Sequence, residues 1–76
     1  MFKIGQLAKL AEVTPDTVRY YEKQGMMDHN VRTEGGYRLY TEQDLQRLRF
    51  IRYAKQLGFT LETIAELLSI LSLIHI

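Results

Sequence analysis

Four cations and two phenols in this 76-residue sequence could act on another molecule: Arg19 and Lys23 with Tyr20 beside them, then Arg32 and Arg38 with Tyr37 beside them. Guanidinium and ammonium groups neutralise phosphate, and tyrosine hydroxyls fix register along a polyanion, so this is the mixture that duplex DNA asks of a binding face. Any one of these residues alone is better explained as solvated surface, for example by an i,i+3 ion pair from Asp16 to Arg19. Ten basic against nine acidic residues leave a formal net charge of only +1. Where the cations point therefore decides the matter, not how many there are.

Catalysis finds little support. Cysteine is absent, the serines fall in the last turns, and His29 and His75 lie in a loop and at the C-terminal end without metal-ligand spacing. Most carboxylates read as helix caps or surface charges. Asp28 and His29 could chelate a metal weakly, but a plain exposed loop explains them better. The expectation is a protein that is not an enzyme and holds no metal of its own.

The elements that must position the cations follow from the apolar spacing. Ile4, Leu7, Ala8 and Ala11 recur at i, i+3, i+4 and i+7, giving a short one-faced helix. After a brief break, Thr14 offers an N-cap hydroxyl, Pro15 takes the first helical position and Asp16 suits the positive helix end. On this second helix Thr17, Val18 and Tyr21 share one side, while Asp16, Arg19, Lys23 and, at the edge, Tyr20 share the other. Tyr21 thus reads as core and Tyr20 as an outward-facing group. Two short helices joined by a tight turn over about residues 4–23 make a helix-turn-helix. Glu12 occupies the turn position where such motifs often carry Gly, so it either tolerates a strained backbone or the turn differs.

Beyond Gly25, the stretch MMDHN leads into VRTEGGYRLY, which reads as a β-hairpin wing over about residues 31–40, with Gly35 and Gly36 at its turn. Tyr37 and Leu39 fall on one face of its second run, Arg38 and Tyr40 on the other. Thr41 and Asp44 form a capping box that opens a third helix, running to about Leu57 and stopping at Gly58. Thr60 caps a fourth, with Leu61, Ile64, Ala65, Leu68 and Leu71 as its stripe and Glu62 and Glu66 on the wet side. On the third helix Glu42, Gln46, Arg49, Arg52 and Gln56 are polar-face residues, whereas Arg47 and Lys55 fall in or beside the apolar sector. Either both snorkel their charge past a small core, or Lys55 donates to a phosphate beside the second helix.

With 46% hydrophobic and 25% charged residues the chain is ordinary globular material forming one small domain, mainly α, and its modest core leads us to expect a partner. No apolar run is long enough to cross a bilayer, and Lys3, Lys9 and Glu12 interrupt the N-terminus where a secretory segment would be apolar. A cytoplasmic location without membrane contact is expected.

The wording TPDTVRYYEKQG, then Arg32, GGYRLYTEQDL and AKQLGF, resembles the N-terminal domain of the MerR family of bacterial transcription regulators, from Met1 to about Ile70. Within that family TPDT, MM and RTEGG are most similar to zinc-responsive members that control zinc export. The resemblance implies a winged helix-turn-helix whose dimer binds a palindromic promoter operator in double-stranded DNA and untwists it, acting on RNA polymerase indirectly as an activator. It assigns Arg19 and Tyr20 to bases and backbone in the major groove, Arg32, Tyr37 and Arg38 to flanking phosphates, and Lys55 to another phosphate. With Thr14, Asp16 and Lys23 from the second helix these make up the expected DNA-binding set.

The family continues into a long dimerisation helix and a metal or drug site, built with cysteines in zinc sensors. This chain shows neither, so zinc is implied only for a full-length member. Residues 71–76, LSLIHI, translate the transposase mosaic-end sequence CTGTCTCTTATACACATC and are read as an adapter-derived tail on a gene fragment. A native apolar extension of the last helix is the alternative. Two other functions remain open: a truncated interaction module that antagonises full-length subunits, and an excisionase-like DNA-bending protein.

Overall fold

The computed structural model describes residues 1–27 and 39–71 of the chain. Its elements are α1 (Ile4–Ala11), α2 (Pro15–Lys23), α3 (Glu42–Gln56) and α4 (Leu61–Ile70). Helix α1 packs on α2 and α3, and α4 packs on α3. The third helix is thus the spine that holds the helix-turn-helix on one side and α4 on another.

Each start is written in the residue before it. Thr14, Thr41 and Thr60 accept hydrogen bonds from the backbone N–H three residues on, at 3.1, 3.2 and 3.1 Å. Asp44 reciprocates by accepting from the Thr41 N–H at 2.8 Å, which completes the expected capping box. The ends share a single device. Helices α1, α2 and α3 finish with paired 6→1 and 5→2 backbone bonds around Glu12, Gly25 and Gly58, with φ of 61°, 80° and 99°. So the turn of the helix-turn-helix is not altered to suit Glu12. Glu12 adopts the left-handed conformation that glycine takes at the other two ends.

The core collects Leu7, Ala8, Ala11, Val18, Tyr21, Leu48, Ile51, Ile64 and Leu68, all buried. Met26 and Met27, which the sequence places in a polar stretch, are buried as well and pack into it. Arg47 does not snorkel: it is only 3% exposed, held on the inward side of α3 among Leu45, Leu48 and Ile51. Lys55, by contrast, is exposed in the last turn of α3. The expected stripe of α4 shortens at its end, because Leu71 caps the helix and is 54% exposed.

The hairpin wing expected over about residues 31–40 lies outside the described residues up to position 38. Its last residue, Tyr40, forms an isolated antiparallel bridge to Phe2, each N–H donating to the other carbonyl at 2.8 Å. The tail beyond Leu71 also lies outside the described residues.

Candidate nucleic-acid interface

Helix α2 divides its residues as the spacing requires. Val18 and Tyr21 are buried, while Asp16, Arg19, Tyr20 and Lys23 are exposed in one row. The row begins at a firm helix end: the Thr14 oxygen accepts from the Thr17 N–H, the two threonine hydroxyls lie 2.9 Å apart, and Pro15 occupies the first turn. A helix whose start is held this way presents its first residues at a defined angle, as a helix entering a major groove must.

Arg19 Nη1 donates to Asp16 Oδ1 at 2.9 Å, with the side chains 60% and 93% exposed. A pair this wet contributes between nothing and about 1 kcal/mol, so a phosphate or a base edge can replace the carboxylate at little cost. Asp16 and Arg19 are thus paired within the exposed row. Tyr20 is 48% exposed, and its ring lies 5.8 Å from that of Tyr21 with a tilt of 54°. One tyrosine thus braces the other from the core while the outer hydroxyl stays accessible. Burial, and secondarily the neighbouring Tyr20, pushes the Tyr21 phenol above its ordinary value of 10.0.

Thr14, Asp16, Arg19, Tyr20 and Lys23 therefore stand together on α2 and its cap, and Lys55 stands exposed at the far end of α3. Arg32, Tyr37 and Arg38 lie outside the described residues. Two contacts behind the row escaped the sequence reading. The Tyr40 hydroxyl donates to Glu22 Oε2 at 2.9 Å, and Arg52 Nη2 lies 3.5 Å from Glu12 Oε1. The burial of Tyr40, though not its partner Glu22, is signalled by its place directly before a helix cap, where a chain entering the core often carries a large side chain. Among the described residues no three His, Asp or Glu side chains converge as a metal site, and no helix is long and apolar enough to cross a membrane.

The model of the MerR HTH family regulatory proteins matches residues 2–70. The HTH-type transcriptional regulator ZntR of Escherichia coli is 77% identical over 70 residues, spanning 92% of this chain and 50% of that protein. A solved transcription regulator from Ralstonia metallidurans, in complex with lead(II), superposes with a TM-score of 0.85 at 44% identity, over 92% of this chain and 55% of its own. HiNmlR, a regulator lacking the sensor domain and solved on promoter DNA, gives 0.79 at 30% identity, over 91% and 55%. The chain spans about half the length of the curated relatives it matches. These relatives are transcription regulators, not enzymes.

Proposed function

The chain belongs to the MerR HTH family of regulatory proteins, and from that premise we propose that it is the DNA-reading head of a metal-responsive transcription regulator, with zinc as the metal. The observation that carries the reading is the exposed row of Asp16, Arg19, Tyr20 and Lys23 on a capped helix whose other face is core. The promoter-bound regulator of the same fold supports DNA as the partner, and the 77% identity to a regulator named for zinc supports the metal.

In this reading α2 enters the major groove. Arg19 exchanges Asp16 for a guanine edge or a phosphate, Tyr20 places its hydroxyl on the backbone, and Lys23 neutralises a phosphate further along. Lys55, with Arg32, Tyr37 and Arg38 of the expected wing, holds flanking phosphates. A second copy occupies the other half of a palindromic operator, and RNA polymerase responds to the distorted promoter rather than to a direct contact. Zinc acts through a part of the full-length protein that this chain does not span, since the sequence contains no cysteine and the described residues offer no ligand cluster.

A salt-dependent titration against a palindromic promoter duplex and a scrambled duplex tests the reading. Tighter binding to the promoter, a fall in affinity with salt, and no response to added zinc are expected. Equal affinity for the two duplexes would overturn sequence-specific binding, and a zinc-dependent shift would overturn the placement of the metal response.

A further inference from the structure

The exposed row of α2 is not uniformly cationic. Its first turn carries the Asp16 carboxylate, 93% exposed, with Arg19 one turn on and Lys23 two turns on. A face that only attracts phosphate has no use for an acid at its leading end, since the polyanion that draws the two cations repels it. The helix start does not demand that acid either. The Thr14 oxygen takes the Thr17 N–H at 3.1 Å, and Pro15 fills the first helical position. A favourable but modest interaction with the helix dipole is what the local structure alone gives Asp16.

Arg19 Nη1 donates to Asp16 Oδ1 at 2.9 Å, so within the free row these two charges cancel. Docking changes the balance. If Arg19 turns to a phosphate, the Asp16 carboxylate is left among backbone oxygens, and like charges set close together across an interface are costly. If Arg19 turns to a guanine edge, the carboxylate enters the major groove beside it. Cytosine N4 and adenine N6 present amino donors there, which a carboxylate accepts, whereas thymine O4 and the guanine edge offer only acceptors. One i,i+3 pair thus brings a guanidinium for the acceptors of the base edges and a carboxylate for their donors.

We propose that Asp16 is a specificity-determining residue, whose carboxylate opposes docking of α2 on phosphates alone and admits it where a base amino group takes the place of Arg19. The inference rests on the DNA-reading function proposed above. It gives Asp16 a role opposite in sign to that of Arg19 and Lys23: these two draw the helix to DNA, and Asp16 discriminates among the sequences it meets.

The test uses the 76-residue chain with Asp16→Asn and, as a control of equal charge change, Glu66→Gln on the exposed side of α4. The probes are a fluorescein-labelled duplex that the unaltered chain selects from a random pool and a scrambled duplex of the same composition, measured well below every variant's melting temperature. Asp16→Asn should tighten binding to the scrambled duplex by roughly fivefold, the size of one exposed like-charge contact in water, without tightening binding to the selected one. The ratio of the two affinities should narrow accordingly. Glu66→Gln should leave that ratio in place. Tightening of both duplexes alike by Asp16→Asn would overturn the proposal, as would an equal narrowing by Glu66→Gln; each would reduce the effect to overall charge. An unmoved ratio with a lowered melting temperature would also overturn it and make Asp16 a helix-start residue only. If the unaltered chain selects no duplex, sequence reading fails by itself. The scrambled duplex then still decides on exclusion: tightening by Asp16→Asn and not by Glu66→Gln upholds it, and no tightening overturns it.

Discussion

Glu12, left-handed at φ 61°, carries its carboxylate within 3.5 Å of the Arg52 guanidinium on α3, so the turn between the first two helices is tied to the spine of the fold through a strained residue. The side chains are 73% and 37% exposed, so the pair itself is worth little. A non-glycine residue in this backbone region costs about 1 kcal/mol or more. Glu12→Gly should therefore raise the unfolding free energy by about 0.5 kcal/mol after the greater freedom of glycine in the unfolded chain is set against the relief. Gly58→Ala, at φ 99° in the same motif after α3, should lower it by about 1 kcal/mol. Denaturant midpoints for both variants check the pair of signs, and a destabilised Glu12→Gly would show that the contact with Arg52 outweighs the backbone strain.

Tyr21 is 8% exposed among Val18, Leu7 and Ala11, beneath the row that Tyr20 helps to form. Truncating an aromatic side chain in a core this small removes a large share of its apolar contacts. Tyr21→Ala should cost about 3 kcal/mol or more, enough to unfold much of the population at about 37 °C. Thermal unfolding followed by circular dichroism measures it. A chain with unaltered melting that only loses DNA affinity would reverse the roles assigned to Tyr20 and Tyr21.

The same residue sets an alkaline limit. Its phenol is raised above 10.0 in the folded chain, first by burial and then by Tyr20. As pH climbs past the ordinary phenol value, the unfolded chain loses this proton before the folded chain does, so the folded state binds more protons and stability falls with rising pH. The contribution is intact below about pH 10 and is lost as pH rises toward the folded value. Tyr21→Phe keeps the ring without the proton. Unfolding free energies measured between about pH 8 and 11 should show a shallower alkaline decline for that variant, and parallel curves would remove Tyr21 as the titrating group.

The parts of this fold that are local in cause are legible in the sequence. Thr14, Thr41 and Thr60 cap because their oxygens answer N–H groups three residues away, and the split of α2 into Val18 and Tyr21 against Asp16, Arg19 and Lys23 follows from its period. What the sequence hides depends on distant partners. Met26 and Met27 stand beside Gly25 and ahead of polar residues, and only the packing of the core around them makes them part of it. Arg47 has the pattern of a snorkelling cation because helical spacing does not reveal how deeply its helix is covered on that side. Tyr40 is joined to Phe2 and to Glu22, the latter 18 residues away in sequence, separations that no local pattern spans.

In the proposed function, the division of labour along α2 separates the reading of bases from the attraction of phosphate. Arg19 lies one turn after Asp16, at the middle of α2, and its guanidinium is in a 2.9 Å contact that, in this reading, DNA replaces. Lys23 is exposed in the last turn, where an ammonium on a flexible stem acts as a point charge suited to a phosphate and lacks the rigid fork of the Arg19 guanidinium. Arg19→Ala should accordingly weaken binding to the selected duplex by about 1–3 kcal/mol and binding to a scrambled duplex by much less. Lys23→Ala should weaken both alike and lower the slope of log affinity against log salt by about one. Titrations of both variants on both duplexes at several salt concentrations measure the two effects in one series. Equal losses on the two duplexes for Arg19→Ala would make that arginine another phosphate contact, and an unchanged salt slope for Lys23→Ala would take Lys23 out of the interface, leaving base reading to residues other than this pair.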